Sequence, residues 1–192
     1  MPDPQPEVLE FLLSRRSRPA KTLTGPVPDR AALMPLLTAA ARTPDHGKLE
    51  PWRFLVLEGA ALQRLANLTE RLSRERGIGD EKAEKARQQF AKAELVVAVV
   101  AAPEQSEKVP EIEQILSAGA VCLSLLNAAL ASGWGANWLS GWMAHDREFL
   151  TEGLDLAAFE FVAGFIHIGS ETIAPPERPR PDLDLKTTWI DS

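Results

Sequence analysis

Leu95-Val96-Val97-Ala98-Val99-Val100-Ala101 is an unbroken apolar run, the signature of a strand covered on both faces. It is expected at the centre of a sheet, and the segments on either side read as its cover. Upstream, Gly59 to Phe90 is highly charged yet carries Leu62, Leu65, Leu68 and Leu72 at helical spacing. That predicts two helices with an exposed charged face, broken near Gly77-Ile78-Gly79. Downstream, Pro110 to Ser132 is the longest helical segment. Its small residues Ser117, Ala118, Gly119, Ala120, Ala128, Ala129 and Ala131 allow close approach by another helix or a flat ligand.

Further out, Trp52 to Glu58 is rich in β-branched and aromatic residues and reads as the first strand. Thr43-Pro44-Asp45 ahead of it stops a helix that Asp29 can cap and that runs to about Arg42, with Leu33, Leu36, Leu37 and Ala40 on one face. Pro35 is expected to kink it. Glu7 to Arg16 spaces Val8, Leu9, Leu12 and Leu13 as a first helix, with Pro6 tolerated in its first turn. Gly133 to Gly141 ends the long helix, Asp146 caps a short helix finishing by Gly153, and Phe161 to Gly169 is another strand. From Glu171 the chain is proline-rich and extended until Thr187-Thr188-Trp189-Ile190, a candidate last strand whose backbone groups need a partner.

The 192 residues fit one domain, 1–192, with 171–192 as its extended tail. Net charge is −6, from 27 acidic and 21 basic side chains, and no Lys/Arg run is longer than Arg15-Arg16, so the footprint of a nucleic-acid binder is missing. The N-terminus matches neither a secretory signal nor a membrane span. The single cysteine, Cys122, rules out an internal disulfide. A cytoplasmic protein with no membrane partner is expected.

Several chemistries drop out. His46, His145 and His167 are far apart, with no metal-ligand spacing, so no metal site is expected. There is no G-x-S-x-G serine and no G-x-G-x-x-G loop, and Cys122 on an apolar helix face reads as a buried structural thiol. Three constellations remain. Arg15-Arg16-Ser17 reads either as two solvated cations at a helix C-terminus or as guanidinium forks and a hydroxyl suited to a phosphate. Arg42, His46 and Lys48 place three donors in one short segment before Trp52, which itself reads as a core anchor. Trp138-Leu139-Ser140 follows the small-residue helix and suits either the core or a planar ring.

Arg15-Arg16-Ser17, then Pro44-Asp45-His46 ahead of Pro51-Trp52-Arg53-Phe54, then the long small-residue helix and Gly133 to Gly141, resemble in order and spacing the nitroreductase family, most closely a short bacterial subfamily. The likeness runs from Glu7 to about Gly169. It implies an α+β fold, a mainly antiparallel central sheet flanked by helices, in an intertwined homodimer with two FMN sites at the interface. By that resemblance Arg15, Arg16 and Ser17 hold FMN along its phosphate, ribityl and pyrimidine edges, and Arg42 adds a contact from the same chain. His46 reaches the flavin of the other subunit. Trp138, Leu139 and Ser140 lie against the isoalloxazine, and Ala128, Ala129, Leu130, Ala131, Ser132 and Gly133 match the stretch that meets NAD(P)H. The resemblance leaves open whether Arg178 and Arg180 touch the FMN phosphate.

Three positions depart from the family pattern. Pro19 stands where larger members often have a basic residue, which Lys48 is able to replace as a donor to the pyrimidine edge. Glu50 stands in the segment before Pro51-Trp52 and is expected to point away or pair with Lys48. Leu139 replaces an arginine, leaving only backbone contact there. The implied activity is that of an FMN-dependent oxidoreductase. Hydride passes from NAD(P)H through flavin N5 to a small organic acceptor such as a nitro compound or quinone, in ping-pong order, and no protein residue acts as nucleophile. Another flavin redox chemistry (dehalogenation, dehydrogenation, consumption of the flavin itself) or a non-enzymatic FMN-storing role stays open beside it.

Overall fold

The computed structural model describes residues 3–191. In chain order the elements are α1 (Pro6–Ser14), β1 (Leu23–Thr24), α2 (Arg30–Ala40), β2 (Trp52–Glu58), α3 (Ala60–Glu75), α4 (Asp80–Ala91), β3 (Leu95–Ala101), α5 (Glu111–Ala131), β4 (Gly135–Leu139) and β5 (Phe161–Glu171). Short 3-10 turns lie at Ala20–Thr22, His46–Lys48 and Trp142–Ala144, and a π-helical turn at Phe149–Gly153.

β3 is buried at every position. It lies between β2 and β5, and all strand pairings are antiparallel. The eleven-residue β5 is the hub: Phe165 to His167 pair with β3 on one edge and with β4 on the other, and its C-terminal end pairs with β1. An antiparallel sheet often leaves one face wet, but here helices cover both. Val96, Ala98, Val100 and Phe165 pack under α3 and α4 with Leu65, Leu72 and Phe90. Val97, Val99, Ile166 and Ile168 face α2 and α5 with Leu36, Val121 and Leu125. Each such leucine or phenylalanine contributes roughly 1.5–3 kcal/mol by leaving water, so the continuous apolar run of β3 follows from having a core on each side.

Local signals end the helices. Asp29 Oδ1 accepts from the Ala32 N–H at 2.8 Å and starts α2, and Pro35 lies inside that helix without a donor. α5 closes with the Gly133 N–H bonded to the Leu130 carbonyl and the Trp134 N–H to that of Ala129, Gly133 taking a φ of 84°. Asp146 Oδ1 accepts from the Phe149 N–H and starts the turn to Gly153. α5 has the length and apolarity of a membrane span, yet Val121, Cys122, Leu125 and Ala129 along it are buried in the core. α1 differs from the other helices in burying none of its residues.

Two elements correct the expectations. Gly135–Leu139 is a strand, hidden in the sequence because its few residues include glycine and asparagine, and only pairing with β5 makes it one. Thr187 to Ile190 lies outside any strand, with Trp189 and Ile190 almost fully exposed. Within one chain no sheet edge reaches this segment, so its backbone takes no ladder.

Candidate functional site

α1 stops at Ser14, and Arg15 turns the chain into an extended conformation (φ −55°, ψ 143°), so Arg15-Arg16-Ser17 lies just past the helix rather than on it. What holds that segment is β4. The Arg18 N–H donates to the Ala136 carbonyl (2.8 Å), and Asn137 Nδ2 donates to the Arg18 carbonyl (2.7 Å). Arg18 Nε pairs with Glu171 at 2.8 Å, tying the same segment to the end of β5.

The tail then folds back over these residues. Arg15, Arg16 and Ser17 face Arg178 and Arg180 across a cleft of about 190 Å³. Arg15 Nη2 donates to Ser17 Oγ (3.0 Å), while Arg15 Nε is buried with no partner. Arg16 Nη1 donates to the Pro176 carbonyl (2.5 Å) and lies 3.7 Å from Glu177, which also pairs with Arg180 at 2.8 Å. Burial first, then the charges of Arg180, Arg16 and Arg18, pull the Arg15 guanidinium below its usual pKa. Four guanidinium groups with one carboxylate among them favour an anion strongly, and several forks converging on one point suit the oxygens of a phosphate.

A second cavity, of about 480 Å³, opens beside this cleft between α4, the Pro19–Lys21 turn and the face of β4 and β5. Leu139 and Asn137 of β4 line it, with Lys21, Lys85, Gln89, Lys92 and His167. His167 is 3% exposed, its Nε2 has no partner, and burial pushes its pKa down to about 4, so the imidazole is neutral at physiological pH. β4 pairs with β5 on one side only. Because the Ala136 carbonyl faces out to Arg18, strand alternation also turns the Trp138 N–H and C=O to that free edge. A wider cleft of about 660 Å³ at Glu104, Glu107, Glu111 and Phe159 has the wrong sign for a phosphate.

The structure thus brings Arg15, Arg16 and Ser17 together with Arg178 and Arg180, and sets Leu139 in the adjoining cavity. Trp138 is partly exposed and its Nε1 donates to the Ala163 carbonyl (3.3 Å), and Ser140 is exposed beside it. Arg42, His46 and Lys48 line neither the cleft nor the cavity. His46 Nδ1 lies 2.7 Å from Glu113 at the start of α5, and Lys48 and Glu50 are both exposed and left-handed (φ 55° and 48°). Glu50 forms no ion pair among the described residues, and its N–H is held by Asp45 Oδ2 at 2.8 Å. Of the Ala128–Gly133 stretch, Ala128, Ala129 and Leu130 pack on the core, whereas Ala131, Ser132 and Gly133 are exposed at the helix cap.

Trp52 is half-buried, with Nε1 donating to Ser117 Oγ (3.2 Å), and Cys122 is fully buried, its thiol pushed up to about 12 by desolvation. Both act as structural residues. The sequence reading missed Gln89, Asn137 and His167, which show no motif because they converge from α4, β4 and β5 only on folding.

The description of the nitroreductase family matches residues 12–170. A protein of Escherichia coli named "Putative NAD(P)H nitroreductase YdjA" is 34% identical over 164 residues, covering 85% of this chain and 88% of the relative. A Haemophilus influenzae protein, "Putative NAD(P)H nitroreductase", is 40% identical over 136 residues, covering 70% and 73%. Among solved structures, a nitroreductase-like family protein from Bacillus cereus superposes with a TM-score of 0.82 at 22% identity, covering all of both chains. A Desulfovibrio desulfuricans structure titled as a "putative nitroreductase in complex with fmn" gives 0.70 at 22% identity over 96% of each chain. Matched along most of its length in sequence and throughout in fold, the chain belongs to the nitroreductase family.

Proposed function

We propose that this protein is an FMN-dependent oxidoreductase that takes reducing equivalents from a reduced nicotinamide nucleotide and passes them to a small organic acceptor. The arginine cleft carries the reading: Arg15 Nε is buried and unpaired among Arg16, Arg178 and Arg180, a cluster of four cations with a single carboxylate, Glu177, that calls for a further anion. A flavin phosphate supplies that further anion, and the Ser17 hydroxyl, whose oxygen already accepts from Arg15, has its own proton free to donate. Arg178 and Arg180 thereby join the phosphate site, bringing the tail into cofactor binding. The related solved complex named with FMN supports the same cofactor.

When bound, the isoalloxazine supplies the two-electron chemistry through its N5. The chain's residues bind and orient. Trp138, Leu139 and Ser140 offer the free edge of β4 to the ring, with the Trp138 backbone N–H and C=O unpaired by the sheet. Lys21, Lys85 and Lys92 place positive charge around the adjoining cavity, where it favours the ring when reduced and negative.

A homodimer completes the reading. α1 leaves Val8, Leu9, Leu12 and Leu13 exposed on one face, and Leu116 and Leu123 of α5 with Trp189 and Ile190 of the tail add more uncovered apolar surface. A second copy of the chain is the occupant that suits it. His46, which does not line the cleft of its own chain, then serves the partner's flavin, while Arg42 adds its contact to the flavin of its own chain, as the family resemblance implies.

The test is the absorbance spectrum of purified protein loaded with FMN, followed by anaerobic titration with NADH and NADPH. One FMN per chain, bleached by either nucleotide and restored by a nitroaromatic or quinone, is expected. Folded protein that binds no flavin at micromolar FMN overturns the reading, and flavin binding without reduction leaves an FMN-storing protein.

A further inference from the structure

The cavity under α4 contains a carboxamide with nothing to bind. Gln89 Oε1 is buried and unpaired, and the Gln89 side chain makes no hydrogen bond among the described residues. Its Nε2 lies 3.8 Å from where a Cβ on Gly141 would stand, so the amide sits at the corner where β4 ends. Pro19 and Leu139 line the same cavity. The other two carboxamides there are already committed, Asn137 to the Arg18 carbonyl and Gln88 to Glu84. A buried acceptor left without a donor loses its hydration with no return, so an orphan of this kind marks where a ligand donor belongs.

We infer that Gln89 reads the pyrimidine edge of the flavin, Oε1 accepting from the ring N3–H and Nε2 donating to a neighbouring ring carbonyl. The inference rests on the FMN reading above, which sets the ring against Trp138 to Ser140, beside that corner. The chemistry is selective. The oxidised isoalloxazine has one N–H donor, at N3, flanked by carbonyls, and an amide oxygen, an acceptor only, pairs with no other ring position. A carboxamide matches that acceptor-donor pattern with both of its ends. Pro19, which lines the same cavity, offers no side-chain donor or acceptor to compete for that edge. His167 forms the deep, uncharged floor of the same cavity, leaving the ring's charge to the lysines at its rim.

The experiment measures Kd for FMN and for N3-methyl-FMN by flavin fluorescence quenching, on wild type, Gln89→Ala and the near-isosteric Gln89→Met, with circular dichroism to confirm folding. Wild type is expected to bind FMN at least about tenfold tighter than the methylated analogue, the value of one good hydrogen bond. Both variants lose that discrimination, weakening FMN while leaving N3-methyl-FMN nearly unchanged. Equal discrimination in wild type and variants overturns the role of Gln89 while leaving FMN binding intact. Folded wild type that binds neither flavin overturns the FMN reading and this inference together.

Discussion

The indole of Trp138 fills the space that a Cβ on Gly164 would occupy, with its Nε1 donating to the carbonyl of neighbouring Ala163. That Cβ would also stand 3.0 Å from Cys122 Sγ. The residue proposed to lie against the flavin is therefore seated by a gap in β5, and that gap is backed by a buried thiol on α5.

Gly164→Ala should destabilise the fold by about 1–3 kcal/mol through overpacking and should shift the fluorescence of Trp138. Urea unfolding and emission spectra check this. A variant as stable as wild type, with unchanged emission, would mean the indole does not need the gap.

Arg15→Ala is expected to weaken FMN binding by about 1.5–3 kcal/mol, roughly tenfold to a hundredfold in Kd. Arg18→Ala should weaken it less, because Arg18 spends its guanidinium on Glu171 outside the cleft. Its cost should appear in thermal stability instead. Fluorescence titration of both variants separates the phosphate role from the helix-end reading, which expects small, equal effects.

His167 is neutral in the folded protein down to about pH 4, whereas its unfolded value is 6.5. Below 6.5 the unfolded state takes up a proton that the folded state refuses, so stability falls as pH drops towards 4 and is flat above 6.5. Between about pH 7 and about pH 5 this loss should reach about 2 kcal/mol. His167→Leu should flatten that limb. Urea midpoints of the flavin-free protein across this range decide the matter, since most carboxylates titrate lower.

Leu9→Asp with Leu13→Asp should leave the core intact, because α1 buries no residue. If a second copy covers that face, the double variant should scatter light as a single 21.0 kDa chain, wild type giving about twice that mass. FMN should be lost in parallel. A variant that stays dimeric and retains flavin would show that the stripe lies outside the interface.

The layers were legible because burial imposes period and continuity: the run of β3 and the spaced leucines of α3 announce a covered strand and a one-faced helix. β4 was not, since Gly135, Ala136 and Asn137 disfavour a strand against Trp138 alone, and the segment owes its conformation to β5. For the site, Arg15-Arg16-Ser17 was readable as adjacent residues of matching chemistry. The cleft needed Arg178 and Arg180, about 160 residues away in sequence, and only the fold-back of the tail joins them. Gln89 and His167 had no signal at all, being ordinary in type and isolated in sequence. A tail strand was expected from Thr187 to Ile190 because local composition permits it, but composition does not supply the neighbour that a strand requires.

β5 also sets a timetable. It is the last strand to leave the ribosome, yet β1, β3 and β4 all pair with it, β1 through Ser170 and Glu171. Until those residues emerge, the nascent chain holds only the antiparallel β2–β3 pair, with one edge of β3 unpaired. Closure of the sheet therefore waits for β5 to be made and joins distant segments in one late step. Any truncation that removes the end of β5 should yield not a smaller folded protein but an unfinished one, displaying a hydrophobic strand to the chaperones and proteases that patrol new chains.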